Sequence, residues 1–357
     1  MDTVTHALFG ALASRAVATR SPPGSKFHKT YMPATMTAIA AIFPDIDYIM
    51  FRVNPLTFLA EWHRSYTHSL VLLPLWTIVL TGIFILVLPG LRKQWLVTSG
   101  FIALGLVSHI LLDLLTEYGT KIFYPVANHA INLGTTFVID PILSLLVIAG
   151  LVISCYRTPR LTALSCLFIV GIYILLQWHL KTQARETGAS APSHTGAIDV
   201  DTIALPQPFS PFHWRIIIRE NDGYSSALID LLGVSEKLAR WKSILPSIDL
   251  VSAYRDVAHA KWEKYTLFGE QPGQQLLARE VWEQEGMAKF RKFAVFPVLY
   301  RIDQDTHATT CVWFSDLRYH ISIMTPSFRY GMCRGGDNPE WQRYRLRYFS
   351  INDRQHF

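Results

Sequence analysis

Six stretches in the first half of the chain run almost without polar interruption. Residues 70–88 hold no charged residue, 95–115 hold only Asp113 and the imidazole of His109, 137–156 hold only Asp140, and 161–178 hold none. Each approaches the roughly 20 residues a helix needs to cross the hydrocarbon of a bilayer. Two shorter runs precede them. Residues 4–18 are interrupted only by His6 and Arg15 among ionisable groups, and residues 32–43 are uncharged. Both are short for full spans, so tilted, interfacial or re-entrant helices are expected there. The chain opens with Asp2 and lacks a basic n-region, so its first run reads as a retained helix and not as a signal peptide.

The pattern changes near residue 181. Gly188, Ser190, Pro192, Ser193, Gly196, Pro206, Pro208 and Pro211 mark 182–213 as a linker. Residues 214–219 and 224–231 predict strands around the turn Asn221-Asp222-Gly223. Residues 250–265 predict a helix, with Val251, Tyr254, Val257, Ala258 and Trp262 near one face. Residues 293–302, 309–317 and 343–351 predict further strands. The expected architecture is an α-helical membrane domain of about six apolar helices, the first two short, followed by a small soluble α+β domain. Its boundaries are 1–181 for the membrane domain, 182–213 for the linker and 214–357 for the α+β domain.

Composition agrees. Of 357 residues, 50% are hydrophobic and 17% are charged, against about 25% in an ordinary soluble domain. Residues 1–185 carry 13 Lys/Arg and 7 Asp/Glu, whereas 186–357 carry 20 of each, so the net charge of +6 sits wholly in the apolar half. Nucleic-acid binding wants a basic stripe on a soluble face, so this distribution excludes it as a function class. It suits membrane loops that obey the positive-inside rule. Arg15, Arg20, Lys26 and Lys29, then Arg92 and Lys93, then Arg157 and Arg160, fall on one side if six helices cross. That side is then cytoplasmic. Segments 45–69 and 117–136, both termini and the C-terminal domain go to the other. Four cysteines without paired spacing exclude a disulfide scaffold or zinc ribbon. Cys311 and Cys333 pair if their domain lies outside the cytoplasm, or else remain buried thiols. Cys155 and Cys166 read as helix-packing residues.

Ionisable groups in membrane helices are costly, which makes them functional candidates. Here they fall in four places: Asp2 to His6, Asp45 with Asp47, His63 to Ser69, and His109 with Asp113. His109 and Asp113 are four apart and share a helix face. The topology drawn from Lys and Arg alone puts all four groups at one membrane face. Each has a bland reading: a cap for Asp2, a capped turn for Pro44-Asp45-Ile46-Asp47, an ordinary hydrogen-bonded pair for His109 and Asp113, an interfacial anchor for Arg64. Taken together, four imidazoles and three carboxylates favour a divalent transition metal. Zinc fits the mixed N/O donors, with manganese or iron as alternatives, as one ion or as two sharing a bridging carboxylate.

The motifs DTVTH, PDIDY, HRSYTHS and SHILLDLLTEYG, in that order among apolar helices, resemble the YdjM-like family of bacterial membrane-bound metal-dependent hydrolases. The resemblance covers roughly residues 1–180. It implies that His6, Asp45, Asp47, His63, His68, His109 and Asp113 occupy the family's metal-binding positions. It also implies a multi-pass protein of the bacterial inner membrane. The expectation that follows is a hydrolase acting at the bilayer surface on a phosphoester, lipid-linked or other small-molecule substrate. In it Arg64 holds a phosphate and Glu117 serves as general base. Two alternatives stand beside it: an ion-coupled transporter relaying protons through His109, Asp113 and Asp140, and a scaffold with a structural metal. The second half is similar to the extension of some longer members and carries no catalytic motif. Its His259, His307 and His320 read as surface or packing residues.

Overall fold

The computed structural model describes residues 1–18, 32–156, 158–190, 201–235, 252–304, 309–322, 324–335 and 338–357. Arg20, Lys26, Lys29, Arg157 and His307, each given a place in the sequence reading, lie outside them. Two compact units emerge: residues 1–53 with 61–179, and residues 54–60 with 180–357.

Every apolar run contains a helix. These are α1 (Thr3–Val17), α2 (Met32–Ile42), then, after the single turn α3 (Pro55–Thr57), α4 (Leu73–Val87), α5 (Trp95–Leu114), α6 (Pro141–Tyr156) and α7 (Pro159–Ala189). Helix and span are different things, however. Among the described residues, three helical stretches are long and apolar enough to cross a membrane: Met32–Arg52, Pro89–Leu114 and Pro159–Ala189. A fourth arises if Pro55–His68 and Leu73–Val87, bent by 71° at a short break, count as one. At 15 and 16 residues, α1 and α6 fall short. Six apolar helices are thus present, the first two short as expected, but six crossings are not confirmed: three or four of the described stretches meet the length and hydropathy a span needs. The second of the two short runs is longer than its apolar stretch suggests, because Phe43–Arg52 continues α2 as a 3-10 helix.

Small residues let the helices close up. A Cβ on Gly10 would stand 2.7 Å from the Ala41 Cβ, and one on Gly105 would stand 2.5 Å from the Thr37 carbonyl oxygen. So α2 lies tightly against both α1 and α5. Ala40, Leu80, Ile102 and Leu106 fill one core, and Leu12, Leu112, Leu143, Val147 and Val170 another. Outward positions stay apolar: Ile78, Leu86, Phe168 and Leu175 are exposed, as a lipid-facing surface requires. Arg15, expected in a basic loop, is instead buried, with Nη1 donating to Ser154 Oγ at 2.7 Å.

The second unit is β-rich, with two antiparallel sheets. One joins β1 (Thr202–Pro206), β2 (His213–Glu220), β3 (Gly223–Asp230) and β4 (Glu263–Tyr265) in that order. The other joins β5 (Pro297–Gln304), β6 (Thr310–Asp316), β7 (Tyr330–Gly335), β8 (Asn338–Leu346) and β9 (Arg354–His356). Helices α8 (Pro272–Glu283) and α9 (Ala288–Phe293) lie between them in sequence. Alternation along β2 puts Trp214, Ile216 and Ile218 against Leu180 and Ala184. It puts Ile217 on the other face, against Phe296, Val298 and Leu317. Cys311 and Cys333 face each other across β6 and β7 and form a disulfide.

Three expectations change here. The described residues of the 182–213 segment are structured, since α7 continues to Ala189 and β1 pairs with β2. The helix over 250–265 is absent among residues 252–265. Arg255 instead bridges Ile229, and β4 hydrogen-bonds to β3. The open edge of β3 presents unpaired backbone groups, and pairing them outweighs a weak helical period. Finally, the strand expected over 293–302 begins only at Pro297, after α9, and the one expected over 343–351 ends at Leu346.

Candidate metal centre

The site is built from four short segments of the first unit. Asp2 accepts from the Thr5 backbone N–H at 2.9 Å and the Thr5 hydroxyl at 2.6 Å, capping α1 and fixing the turn that carries His6. Pro44 lies at the start of the 3-10 stretch, where its missing N–H is tolerated. The tighter winding turns Asp45 toward His109 and Asp47 toward His63. Arg64 takes φ 53°, a left-handed conformation that costs a non-glycine residue about 1–2 kcal/mol. Its N–H donates to Asp47 Oδ2 at 3.1 Å and its carbonyl accepts from Lys121 N at 2.9 Å, which hold it there. His68 ends a short 3-10 turn, and α5 presents His109 and Asp113 on one face, as the spacing predicts.

These groups converge. His68 Nε2 and His109 Nε2 lie 3.0 Å apart, and they stand 3.3 and 3.4 Å from Asp113 Oδ2. His6 Nε2 is 3.2 Å from Asp113 Oδ1, and its ring stacks on His109 with centroids 3.7 Å apart. Asp45 Oδ1 approaches His109 Nε2 at 3.7 Å and His68 Nε2 at 3.9 Å. The side chains of His6, His68, His109 and Asp113 are 0% exposed, whereas Asp45 is 14% exposed. Among the described residues, two sets of donor atoms lie close enough to hold an ion: His6, Asp45 and His109, and His68, His109 and Asp113.

The surrounding contacts suit a cation. His109 Nδ1 lies 2.6 Å from the Ala41 carbonyl oxygen, which can only accept, so Nδ1 carries the proton and the Nε2 lone pair faces inward. His68 Nε2 donates to that lone pair if it carries the ring proton; with the proton on Nδ1, beside Thr67 Oγ1 at 3.0 Å and Asp47 Oδ2 at 3.7 Å, both Nε2 lone pairs face the same point, as two ligands of one cation do. Both nitrogens of His6 and Asp113 Oδ2 are buried without a hydrogen-bond partner. Each such orphan costs about 1–3 kcal/mol, and a bound ion would relieve Asp113 Oδ2 and one of the two His6 nitrogens. The donor set therefore fits a divalent transition metal.

The remaining candidates lie around these donors. Asp47 accepts from His63 Nδ1 at 3.1 Å and lies 3.7 Å from His68 Nδ1, the nitrogen facing away from the cluster. Arg64 is committed to the cluster: Nη2 donates to Asp113 Oδ1 at 2.9 Å and Nη1 to Thr116 Oγ1 at 2.7 Å. The Met1 amine also contacts Asp113 Oδ1. Glu117 belongs to neither converging set, and its backbone carbonyl accepts from Asn132 Nδ2 at 3.0 Å. Asp140 caps α6, accepting from the Ile142 and Leu143 N–H groups at 3.0 Å and from the Tyr173 hydroxyl at 2.8 Å. Sequence reading missed three supports: the Ala41 carbonyl, Thr116, and Thr3, whose hydroxyl donates to Asp45 Oδ2 at 3.2 Å. Both threonines lie inside the quoted motifs, which was the only signal available.

All the donors lie within residues 1–184, the region that matches the family of the YdjM inner membrane protein. An uncharacterized protein of Bacillus subtilis (strain 168), YfhP, is 28% identical over 226 residues, 61% of this chain. The match spans 65% of that relative's length. No solved structure matches. With half of its length matched to that family, this chain belongs to the YdjM inner membrane protein family.

Proposed function

We propose that the protein is a membrane-bound metal-dependent hydrolase that uses a single divalent transition-metal ion, zinc by preference. The observation that carries this reading is the pair of Nε2 atoms of His68 and His109, 3.0 Å apart on Asp113 Oδ2, with the His109 Nδ1–H committed to Ala41. One ion is preferred to two because both donor sets share His109, whose Nε2 has one lone pair to give. His6, His68, His109 and Asp113 would hold the ion. Asp47 would orient His68 through its outer nitrogen and position His63, as partners of metal-bound imidazoles commonly do.

The bound ion would supply Lewis acidity and acidify water near neutral pH. The chain supplies the rest. Asp45, the donor with most solvent exposure, is placed to accept a proton from an attacking water. Arg64 fixes the Asp113 carboxylate and, being anchored there, contributes positive charge more than a free phosphate clamp. Glu117 is the second candidate for general base. A site within apolar helices suits a phosphoester or lipid-linked substrate at the membrane surface, and the Cys311–Cys333 disulfide supports a non-cytoplasmic C-terminal unit.

The test uses phosphomonoester and phosphodiester lipid analogues with added zinc or manganese. Wild-type protein should hydrolyse one class. His109→Ala and Asp45→Ala should be inactive while remaining inserted and extractable as folded protein. A second reading, a structural metal, is favoured by the complete burial of four donors, since closed sites are the structural ones. Metal present with no turnover of any analogue would select it.

A further inference from the structure

The first sheet of the second unit has two unlike ends. The turn between β1 and β2, residues 207–211, and the turn that follows β3, residues 231–235, hold no charged residue. They lie side by side, because His213 pairs with Asp230 and the Leu231 N–H donates to the Phe212 carbonyl at 3.1 Å. At the opposite end Asp201, Arg219, Glu220 and Asp222 gather about the β2–β3 turn, with Arg219 and Asp201 3.5 Å apart. The uncharged end is apolar at its tips: Phe209, Leu232 and Val234 are 51%, 54% and 43% exposed. Ordered turns hold them out. Phe209 takes φ 72°, a left-handed conformation rare for a bulky residue. Around it the Gln207 N–H donates to the His213 carbonyl at 3.0 Å and the His213 N–H to the Ser210 carbonyl at 3.3 Å. Asp230 accepts from the N–H groups of Leu232 at 3.0 Å and Ser235 at 2.8 Å, on either side of Gly233 at φ 62°. Apolar side chains presented on strained, hydrogen-bonded turns point to a partner.

Helix α7 indicates which partner. Pro159–Ala189 is one continuous helix, long and apolar enough to cross a membrane. Its outward apolar side chains end at Leu175, Leu176 and Trp178, all exposed, and His179 and Lys181 follow. Apolar, then aromatic, then basic is the order met at the boundary between bilayer and water. Past that point the same helix lies on the sheet. A Cβ on Gly188 would stand 2.4 Å from Ile216 Cγ2 and 3.1 Å from Thr202 Cγ2. Leu180 and Ala184 share a core with Trp214 and Ile229, and Phe212 and Leu231 pack against it. From Gly188 back to Leu180 is about 12 Å of helix. From Ile216 back to Phe212 is about 13 Å of strand. The two lengths match, so a helix that starts at Ile216 and follows β2 backwards reaches the uncharged end of the sheet as it reaches Leu180, two residues from Trp178.

We propose that α7 descends along β2 into the bilayer and that the uncharged end of the sheet rests on the lipid surface, with Phe209, Leu232 and Val234 seated between headgroups and acyl chains. The charged end then faces water. Nothing in this depends on the metal centre. The test uses the full-length chain in nanodiscs of phosphatidylethanolamine and phosphatidylglycerol, with Cys155→Ser removing the exposed thiol. A fluorophore is attached at Phe209→Cys, at Leu232→Cys and, as the reference at the charged end, at Asp222→Cys. Nitroxide-labelled lipid should quench the first two several-fold more than the third, and aqueous iodide should do the reverse. Should Phe209→Cys fail to fold, Leu232→Cys carries the test. Equal iodide quenching at the three positions would overturn the proposal. So would labels at 209 and 232 that are shielded from iodide yet untouched by the lipid nitroxide, the result expected if a second copy or residues 236–251 cover the patch.

Discussion

At the scale of single residues, the groups that converge in the candidate metal centre were legible because each is an ionisable group in otherwise charge-poor sequence. Their division into roles was not. Asp47 and His63 look like ligands in a list of residue types. The structure pairs them with each other at 3.1 Å and leaves His6, Asp45, His68, His109 and Asp113 to converge. The Ala41 carbonyl was invisible, since a backbone acceptor leaves no mark in sequence. The division predicts different variant behaviour. His68→Ala should lose the ion, whereas Asp47→Asn should retain it with about 10–100-fold weaker affinity, as loss of an outer partner typically does. Metal titration against a competing chelator reads both. Thr116→Val should destabilise the protein by about 1–3 kcal/mol, because a buried Arg64 donor loses its acceptor.

At the scale of elements, apolar runs located the helices of the first unit well, since length and lack of charge are what a lipid-facing helix needs. They said less about crossing, because the 71° bend before α4 breaks one helical stretch and because α1 and α6 end at 15 and 16 residues. In the second unit, alternation found β2, β3 and β6 but missed the short β1, β4, β7 and β9, whose pairing is set by neighbours more than by their own residues. The tight contact of α5 on α2 carries a prediction. Gly105→Ala puts a methyl carbon against the Thr37 carbonyl, so it should cost about 1–3 kcal/mol and weaken metal binding by shifting Ala41 from His109. Thermal unfolding and metal affinity should fall together. A pH effect belongs to His320, in the segment that follows β6. Its folded pKa of about 3 lies below the ordinary value of 6.5, so the unfolded chain binds the proton more readily. Stability from this residue is complete above about pH 6.5 and is lost as pH falls toward 3. Replacing His320 with Asn should flatten the acid limb of unfolding followed in that unit.

At the scale of the whole molecule, the sequence showed an apolar half and a charge-balanced half, and the structure divides into an apolar helical unit and a β-rich unit. Topology remains a proposal resting on basic loops and on Cys311 and Cys333. A reporter fused after Phe357 should be active only when exported. Alkylation without reductant should spare Cys311 and Cys333 in freshly isolated membranes. Cytoplasmic reporter activity together with two reactive thiols would reverse the orientation. The central claim is that three imidazoles and Asp113 form a centre for one metal ion, and metal analysis of the purified chain tests it most directly. One zinc or similar ion per chain in the wild type, and none in His109→Ala, is the predicted result. A wild-type chain that takes up no transition metal, or that keeps the same content after His109→Ala, would contradict it.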